Sequence, residues 1–361
     1  TKRQWFNGER VIHIEPEKRR RVSDSFMRRP YLYTGRALTD TTLIRATKHR
    51  IRHLMLFGRQ LSAGVIKGLE LSYYRKRVLS VEAATETEQW LRLTAGLGLT
   101  AYGDDITLSR TTDILFENVE TVDSEEPARG VGILVLEPIE IFDEVATDDK
   151  SQCPWDKARD PLEDEQIIDS ARLVFYPWPA ELGAIPPVSD NTFRNQLAYQ
   201  VFDHEKAHPF DMLPWEDTGI ALGLIYVAED GQIAFIDRYA VVRQGGAPLS
   251  VQPLQMVNGT SLLWEARIQQ LNHHLYDIKE HNPEIPNARD YFDVLPPAGF
   301  LPKQLLDFND RSTGFFPSQF VVNAVPIPEE QLEVALNASA GLTPFDLHKP
   351  EKIKLLVPVP Q

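Results

Sequence analysis

Cysteine is nearly absent. Cys153 is the only one in 361 residues, so no internal disulfide can form and a stapled secreted scaffold is excluded. Long apolar runs are missing too. Nothing approaches the roughly 18 consecutive apolar residues of a spanning helix, so no integral membrane segment is expected. No signal-peptide pattern opens the chain. Glycine is sparse, 20 residues against 26 prolines, so proline is expected to stop and stiffen segments. The common catalytic loops are lacking as well: there is no G-x-x-x-x-G-K-[ST] and no G-x-S-x-G. Gly96-Leu97-Gly98 has neither the third glycine nor the following helix of a dinucleotide loop.

What is present is an ordinary globular composition, 42% apolar and 25% charged, and a length that fits about two domains of ~150 residues. Charge is unevenly placed. Residues 1–60 hold 15 Lys/Arg and 5 Asp/Glu, a net of +10, within a chain of net −14, which leaves −24 on the other 301 residues. A basic head on an acidic body is an electrostatic address for an acidic partner surface, anionic lipid or nucleic acid. Mutual neutralisation within a monomer is the plainer reading. The overall acidity argues against a general nucleic-acid binder.

Residues 1–37, with Lys18-Arg19-Arg20-Arg21, read as a basic arm. From Leu38 to Gly58 the pattern turns helical. Thr39 or Asp40 supplies a cap, Gly58 a stop, and Ile44, Thr47, Ile51, Leu54 and Met55 form one apolar stripe. Arg45, Lys48, Arg52 and Arg59 fall mostly off it. Residues 64–122 read as a small antiparallel sheet or partial barrel with this basic helix packed on it, ending at the Asp123–Pro127 patch. Gly132 to Phe142 is a strand interrupted at Pro138. Residues 137–169 hold 12 Asp/Glu and 3 Lys/Arg and read as a solvated loop. Ala171 to Tyr176 is a strand and Asp190 to Lys206 a helix, with Phe193, Leu197 and Val201 on one side. Glu229-Asp230-Gly231 between Ile220–Ala228 and Gln232–Tyr239 predicts a hairpin, whose second strand Val241–Arg243 could prolong. Thr260 to Lys279 is a second helix with a seam of Trp264, Ile268, Leu271, Leu275 and Ile278. It is expected to lie on the hairpin of its own domain rather than on a second copy. Beyond His281 the chain is proline-rich, with one short helix near Glu329–Asn337 and an interrupted edge strand at Leu355–Pro360.

One motif suggests chemistry. His204-Glu205-Lys206-Ala207-His208 matches H-E-x-x-H, which on a helix lets two histidines share a zinc while the glutamate activates water. Pro209 follows at once and disfavours helical backbone at His208, and no third ligand falls at a suitable spacing. The pair is expected to bind no metal. His273-His274, adjacent on a helix, diverge and read as exposed flanks of the seam. Cys153, before Pro154 in an acidic loop, is a poor nucleophile because nearby carboxylates raise its pKa. The aromatic-proline clusters at Tyr176–Pro179, Leu213–Trp215 and Phe315–Pro317 could form a carbohydrate platform or pack loops onto a core.

Arg36-Ala-Leu-Thr-Asp40, the basic helix, Gly64-Val-Ile-Lys-Gly-Leu-Glu70 and Gly96-Leu-Gly-Leu-Thr-Ala-Tyr-Gly-Asp104 form a series. It resembles the N-terminal module of proteins encoded beside phage-tail-like contractile injection systems. Leu295-Pro-Pro-Ala-Gly-Phe-Leu-Pro302, Phe315-Phe-Pro317, Pro344-Phe-Asp-Leu347 and Leu355-Leu-Val-Pro358 resemble a C-terminal pattern of the same group. The resemblance implies a non-enzymatic structural subunit of the baseplate or an attached layer, present in several copies and contacting other subunits through its basic head. It also implies a bacterial particle assembled in the cytoplasm, and it carries over no catalytic, cofactor or metal residue. Nucleic acid is not expected as a partner. A carbohydrate- or surface-binding module and a zinc hydrolase using the histidine motif are the alternatives.

The expected architecture is α+β. A basic arm (1–37) precedes a helix with a small, mainly antiparallel β domain (38–125). A larger α+β domain with the acidic loop (126–290) and a proline-rich C-terminal segment (291–361) follow.

Overall fold

The computed structural model describes residues 40–79, 85–145, 164–208, 211–216, 218–248, 261–281, 287–301, 315–316, 318–339, 342–349 and 352–359. The basic arm, Cys153, the Pro209–Phe210 turn and the core of the acidic loop lie outside them. The chain divides into two units, Thr1–Leu54 and Met55–Gln361. The fold is α+β with mostly antiparallel sheets.

Helix α1 spans Asp40–Gly58, and its final turn, from Met55, belongs to the second unit. There Gly103 makes the close approach. Its φ is 87°, and a Cβ on it would stand 2.1 Å from the Met55 carbonyl oxygen, a gap only glycine permits. Arg59 donates from Nε to the Tyr102 carbonyl at 2.8 Å. The expected apolar stripe is not buried. Ile44, Ile51 and Leu54 are exposed, as are Leu43 and Phe57.

The second unit begins with two three-stranded antiparallel sheets. Strands β1 (Gly64–Gly68), β4 (Gly96–Leu99) and β5 (Asp105–Leu108) make one; β2 (Leu71–Leu79), β3 (Thr85–Leu93) and β6 (Thr112–Leu115) make the other. The antiparallel pairing follows the sequence reading, but there are two sheets where one was expected.

The central sheet is five-stranded, ordered β11-β10-β8-β9-β7, from β7 (Glu120–Thr121), β8 (Gly130–Val145), β9 (Asp164–Pro177), β10 (Ile220–Val227) and β11 (Ile233–Asp237). Its strands alternate between two buried faces. Leu134 and Leu136 join a core with Leu91 and Ile106 from the small sheets and Leu69 from the link between β1 and β2. Val131, Ile133 and Val135 point the other way, into a core with helices α2 (Phe193–Ala207) and α4 (Ser261–His281). The period-2 pattern thus fills two layers at once. The first core holds residues from both sides of position 125.

Pro138 does not interrupt β8. The strand runs 16 residues, and Pro138 pairs with Ala171 in its ladder. The last β8 residue paired with β10 is Leu136, so at Pro138 no strand among the described residues pairs on that side of β8, where a missing N–H is tolerated. The expected acidic loop is likewise shorter than read. Residues 137–145 and 164–169 continue as a β8–β9 ribbon out to Val145 opposite Asp164.

The hairpin forms as read. β10 and β11 pair antiparallel around Gly231, whose φ is 85°. Its second strand stops at Asp237 rather than continuing through Tyr239 and Arg243, because the Asp237 carboxylate accepts the Ala240 N–H at 3.2 Å and caps a helical turn, α3 (Arg238–Val241).

Helix α4 lies against α2, α3 and β11 of its own chain. Ile268, Leu271, Leu275 and Ile278 are buried and Trp264 is half-buried. Its second half anchors a third core with Phe292, Phe315, Phe320 and Leu347. The proline-rich region is not merely a tail. β12 (Val294–Leu295) pairs with β14 (Phe345–Asp346). β13 (Val321–Pro328) pairs in parallel with β15 (Lys352–Val359), and α5 (Leu332–Ser339) lies between them in sequence.

Candidate functional site

The histidine motif sits at the end of α2. His204 lies in the helix, whereas His208 is its cap residue, with φ −127° and ψ 60°. The backbone has left the helical region before Pro209, as the proline rule requires. The two rings still stack, 4.8 Å apart at 29°, and His208 Nδ1 stands 3.1 Å from Asp211. Glu205 is engaged elsewhere. Both its carboxylate oxygens accept from Arg243, at 2.7 and 3.0 Å. A glutamate held in a two-point guanidinium pair is not free to take a proton from water. Among the described residues no group of three or more His, Cys, Asp or Glu is placed to hold a metal ion.

The strongest electrostatic feature lies between α2, α3 and α4, and it was not legible in the sequence. Asp237 is fully buried and Arg194 is 7% exposed. Arg194 Nε donates to Asp237 Oδ2 at 2.7 Å, Nη1 donates to Asp277 at 2.6 Å, and Nη2 meets His273 Nδ1 at 2.8 Å. Gln270, also buried, donates to Asp237 at 2.9 Å. Burial alone would push the Asp237 carboxyl up. The Arg194 charge, with the hydrogen bonds of Gln270 and Arg194, outweighs it and holds the group below the usual carboxylate range. For Arg194 the same burial works against the charge, and Asp237 and Asp277 more than offset it.

His274 borders this network. It is 5% exposed, which corrects its reading as an exposed flank; only His273 is partly exposed. The His274 ring meets Phe292 edge-on at 4.7 Å, and its Nδ1 has no hydrogen-bond partner among the described residues. Burial first, and the Arg194 charge next, push the imidazole well below its ordinary pKa. The network's ions are paired or capped, as a structural pin requires.

A groove of about 470 Å3 opens beside α2. Glu181, Asp203 and Asp293 bring carboxylates to it, and Leu182 and Val294 bring apolar surface. Two further residues on its lining, Tyr199 and Gln200, carry buried oxygens (Oη and Oε1) with no hydrogen-bond partner among the described residues. Tyr199 is pushed up by burial. No spacing in the sequence marked this groove, because its residues come from three separate segments.

Aromatic residues of all three aromatic-proline clusters are buried. Trp215 is 2% exposed, Phe315 is fully buried, and Tyr176 donates to Glu137 at 2.5 Å inside the sheet. Burial and that bond push the Tyr176 hydroxyl up to about 12. Gly96 is a packing glycine, since a Cβ there would lie 2.3 Å from the Lys67 carbonyl oxygen across β1–β4.

No family model matches the chain, and no curated protein does. Among solved structures it is similar to one titled as the crystal structure of TssK. The identity is 11% and the TM-score 0.27, with 69% of this chain and 49% of that chain covered. The chain thus spans about half the length of that structure. No helix among the described residues is long and apolar enough to cross a membrane.

Proposed function

We propose that this chain is a non-enzymatic structural subunit of a phage-tail-like contractile injection particle, placed in the baseplate or in a layer attached to it. The observation that carries the reading is helix α1. Ile44, Ile51, Leu54 and Phe57 are 53%, 47%, 69% and 72% exposed, on a head of net +10 in a chain of net −14. An amphipathic helix whose apolar face is left to water matches a partner surface better than a finished fold. The sequence resemblance at both ends of the chain supplies the kind of particle.

Charge reversal at Arg45, Lys48 and Arg52 tests the reading. The triple variant, expressed with the neighbouring particle genes, should be depleted from purified particles. Higher salt should weaken wild-type incorporation and narrow its difference from the variant, since exposed charges are screened within about 8–10 Å at physiological ionic strength. Incorporation equal to wild type would overturn the proposal, as would full particle assembly without this chain.

A further inference from the structure

We propose that the apolar stripe of α1 docks in the Glu181–Asp203 groove of a second copy of this chain, in a head-to-tail contact. The inference rests on the reading of the chain as a multi-copy subunit and names the partner of its basic helix.

The helix side of the contact is two-part. Leu43, Ile44, Ile51 and Leu54 make an exposed stripe. Arg45, Lys48 and Arg52, at i, i+3 and i+7, follow one flank of it, all exposed. None of the three pairs with a carboxylate among the described residues. The opposite flank carries Arg50 alone. An in-plane membrane helix sets cations along both flanks, so that each can reach the headgroups. A one-sided row instead matches a protein surface with acid on one side.

The groove offers that surface. Glu181 is exposed and no cation stands against it among the described residues. Asp203 is 68% exposed at its side chain and only loosely held by Arg267, at 3.4 Å. From Gly183 the chain leaves the groove and presents Ile185 and Val188, 47% and 50% exposed. Acid and exposed apolar surface therefore lie together, as base and exposed apolar surface do on α1. Like charge makes a symmetric α1–α1 pair unfavourable, whereas a helix-to-groove contact joins unlike charges. Such a contact is heterologous, so it propagates from copy to copy and closes into a ring if the rotation permits.

Analytical ultracentrifugation of the full chain over a concentration series tests this. Wild type should self-associate, more weakly as salt is raised from about 50 to about 500 mM. R45E/K48E/R52E should raise the dissociation constant about tenfold or more. I185K/V188K, at exposed positions outside the helices, should do the same with an unchanged melting temperature. The groove reversal E181K/D203K should associate poorly alone but bind the helix-reversed chain when the two are mixed. That rescue is expected only of a direct contact. A wild type that stays monomeric throughout, or association that none of these variants weakens, would overturn the proposal. So would wild-type binding to phosphatidylglycerol vesicles, lost in R45E/K48E/R52E, without self-association. If the wild type is monomeric yet still enters particles through its basic helix, this contact falls and the subunit reading stands.

Discussion

Helices α1 and α4 are 19 and 21 residues long, and each carries apolar residues at steps of three and four. In α4 that face is covered by α2, α3 and the third core, and so is much of its polar side. Arg267, Gln270 and His274 are all at most 5% exposed. In α1 Ile44, Ile51 and Leu54 of the stripe are exposed, and the less exposed positions are Thr42, Ala46, His49, Met55, Leu56 and Gly58. Periodicity therefore reports that a helix has two faces. It does not report which face the rest of the molecule covers, because that depends on what the chain brings alongside.

The comparison can be broken hardest at the ion network under α4. Arg194→Met leaves Asp237 buried without its charge partner and should cost about 3–5 kcal/mol in urea unfolding. Replacing both residues by apolar ones of similar size should recover most of that loss. A cost under about 1 kcal/mol for the single change would show that Gln270 and the α3 cap suffice for Asp237.

Leu271→Ala comes next. With Leu271 3% exposed between α4 and the third core, the change should cost roughly 2–5 kcal/mol with the oligomeric state unchanged. Intact stability with lost self-association would instead make α4 an interface.

Acid sharpens the contrast further. The folded pKa of His274 lies well below its unfolded value, so from about pH 6.5 downward the unfolded chain binds a proton that the folded chain refuses. Stability should fall through that window. Asp237, with its folded pKa depressed, adds a separate loss only below about pH 3.9. His274→Phe should flatten the first phase and leave the second, as followed by thermal melts across pH. An unchanged profile would show that His274 is protonated in the folded chain.

The smallest effect is expected on α1. Leu54→Ser, at a residue 69% exposed, should change the melting free energy by no more than about 0.5 kcal/mol. In the monomeric chain at low concentration, a larger loss would mean that the stripe is covered within the chain itself.

Several elements were legible because their causes are local. The Asp230-Gly231 turn needs only two residues that tolerate left-handed backbone and β-rich flanks, and the hairpin forms there. The starts and stops of α1 and α4 came within a few residues of their bounds. Pro209 told that His208 would leave the helix, since the clash is between neighbours. Errors gathered where a distant partner intervenes. Pro138 looked like a break until β9 held it in a ladder on one side. The acidic stretch looked like a loop until β8 and β9 paired through it. His274 looked exposed because a polar residue off an apolar seam usually is, and the Phe292 segment that covers it follows well after it in sequence. The groove beside α2 had no signature at all, as Glu181, Asp203 and Asp293 converge only through folding.

The sequence by itself determined the alternation of strands and helices, the hairpin, the basic head on an acidic body, and the apolar stripes on α1 and α4. Each of these follows from backbone preference or spacing within one segment. Tertiary structure alone decided that Arg194 and Asp237 are buried together, that Glu205 is held by Arg243, and that the stripe of α1 remains exposed while that of α4 is buried. Those outcomes depend on which charges and surfaces are brought within a few ångströms of one another. The energies that set them, desolvation against pairing and burial against exposure, have no value until those neighbours are in place.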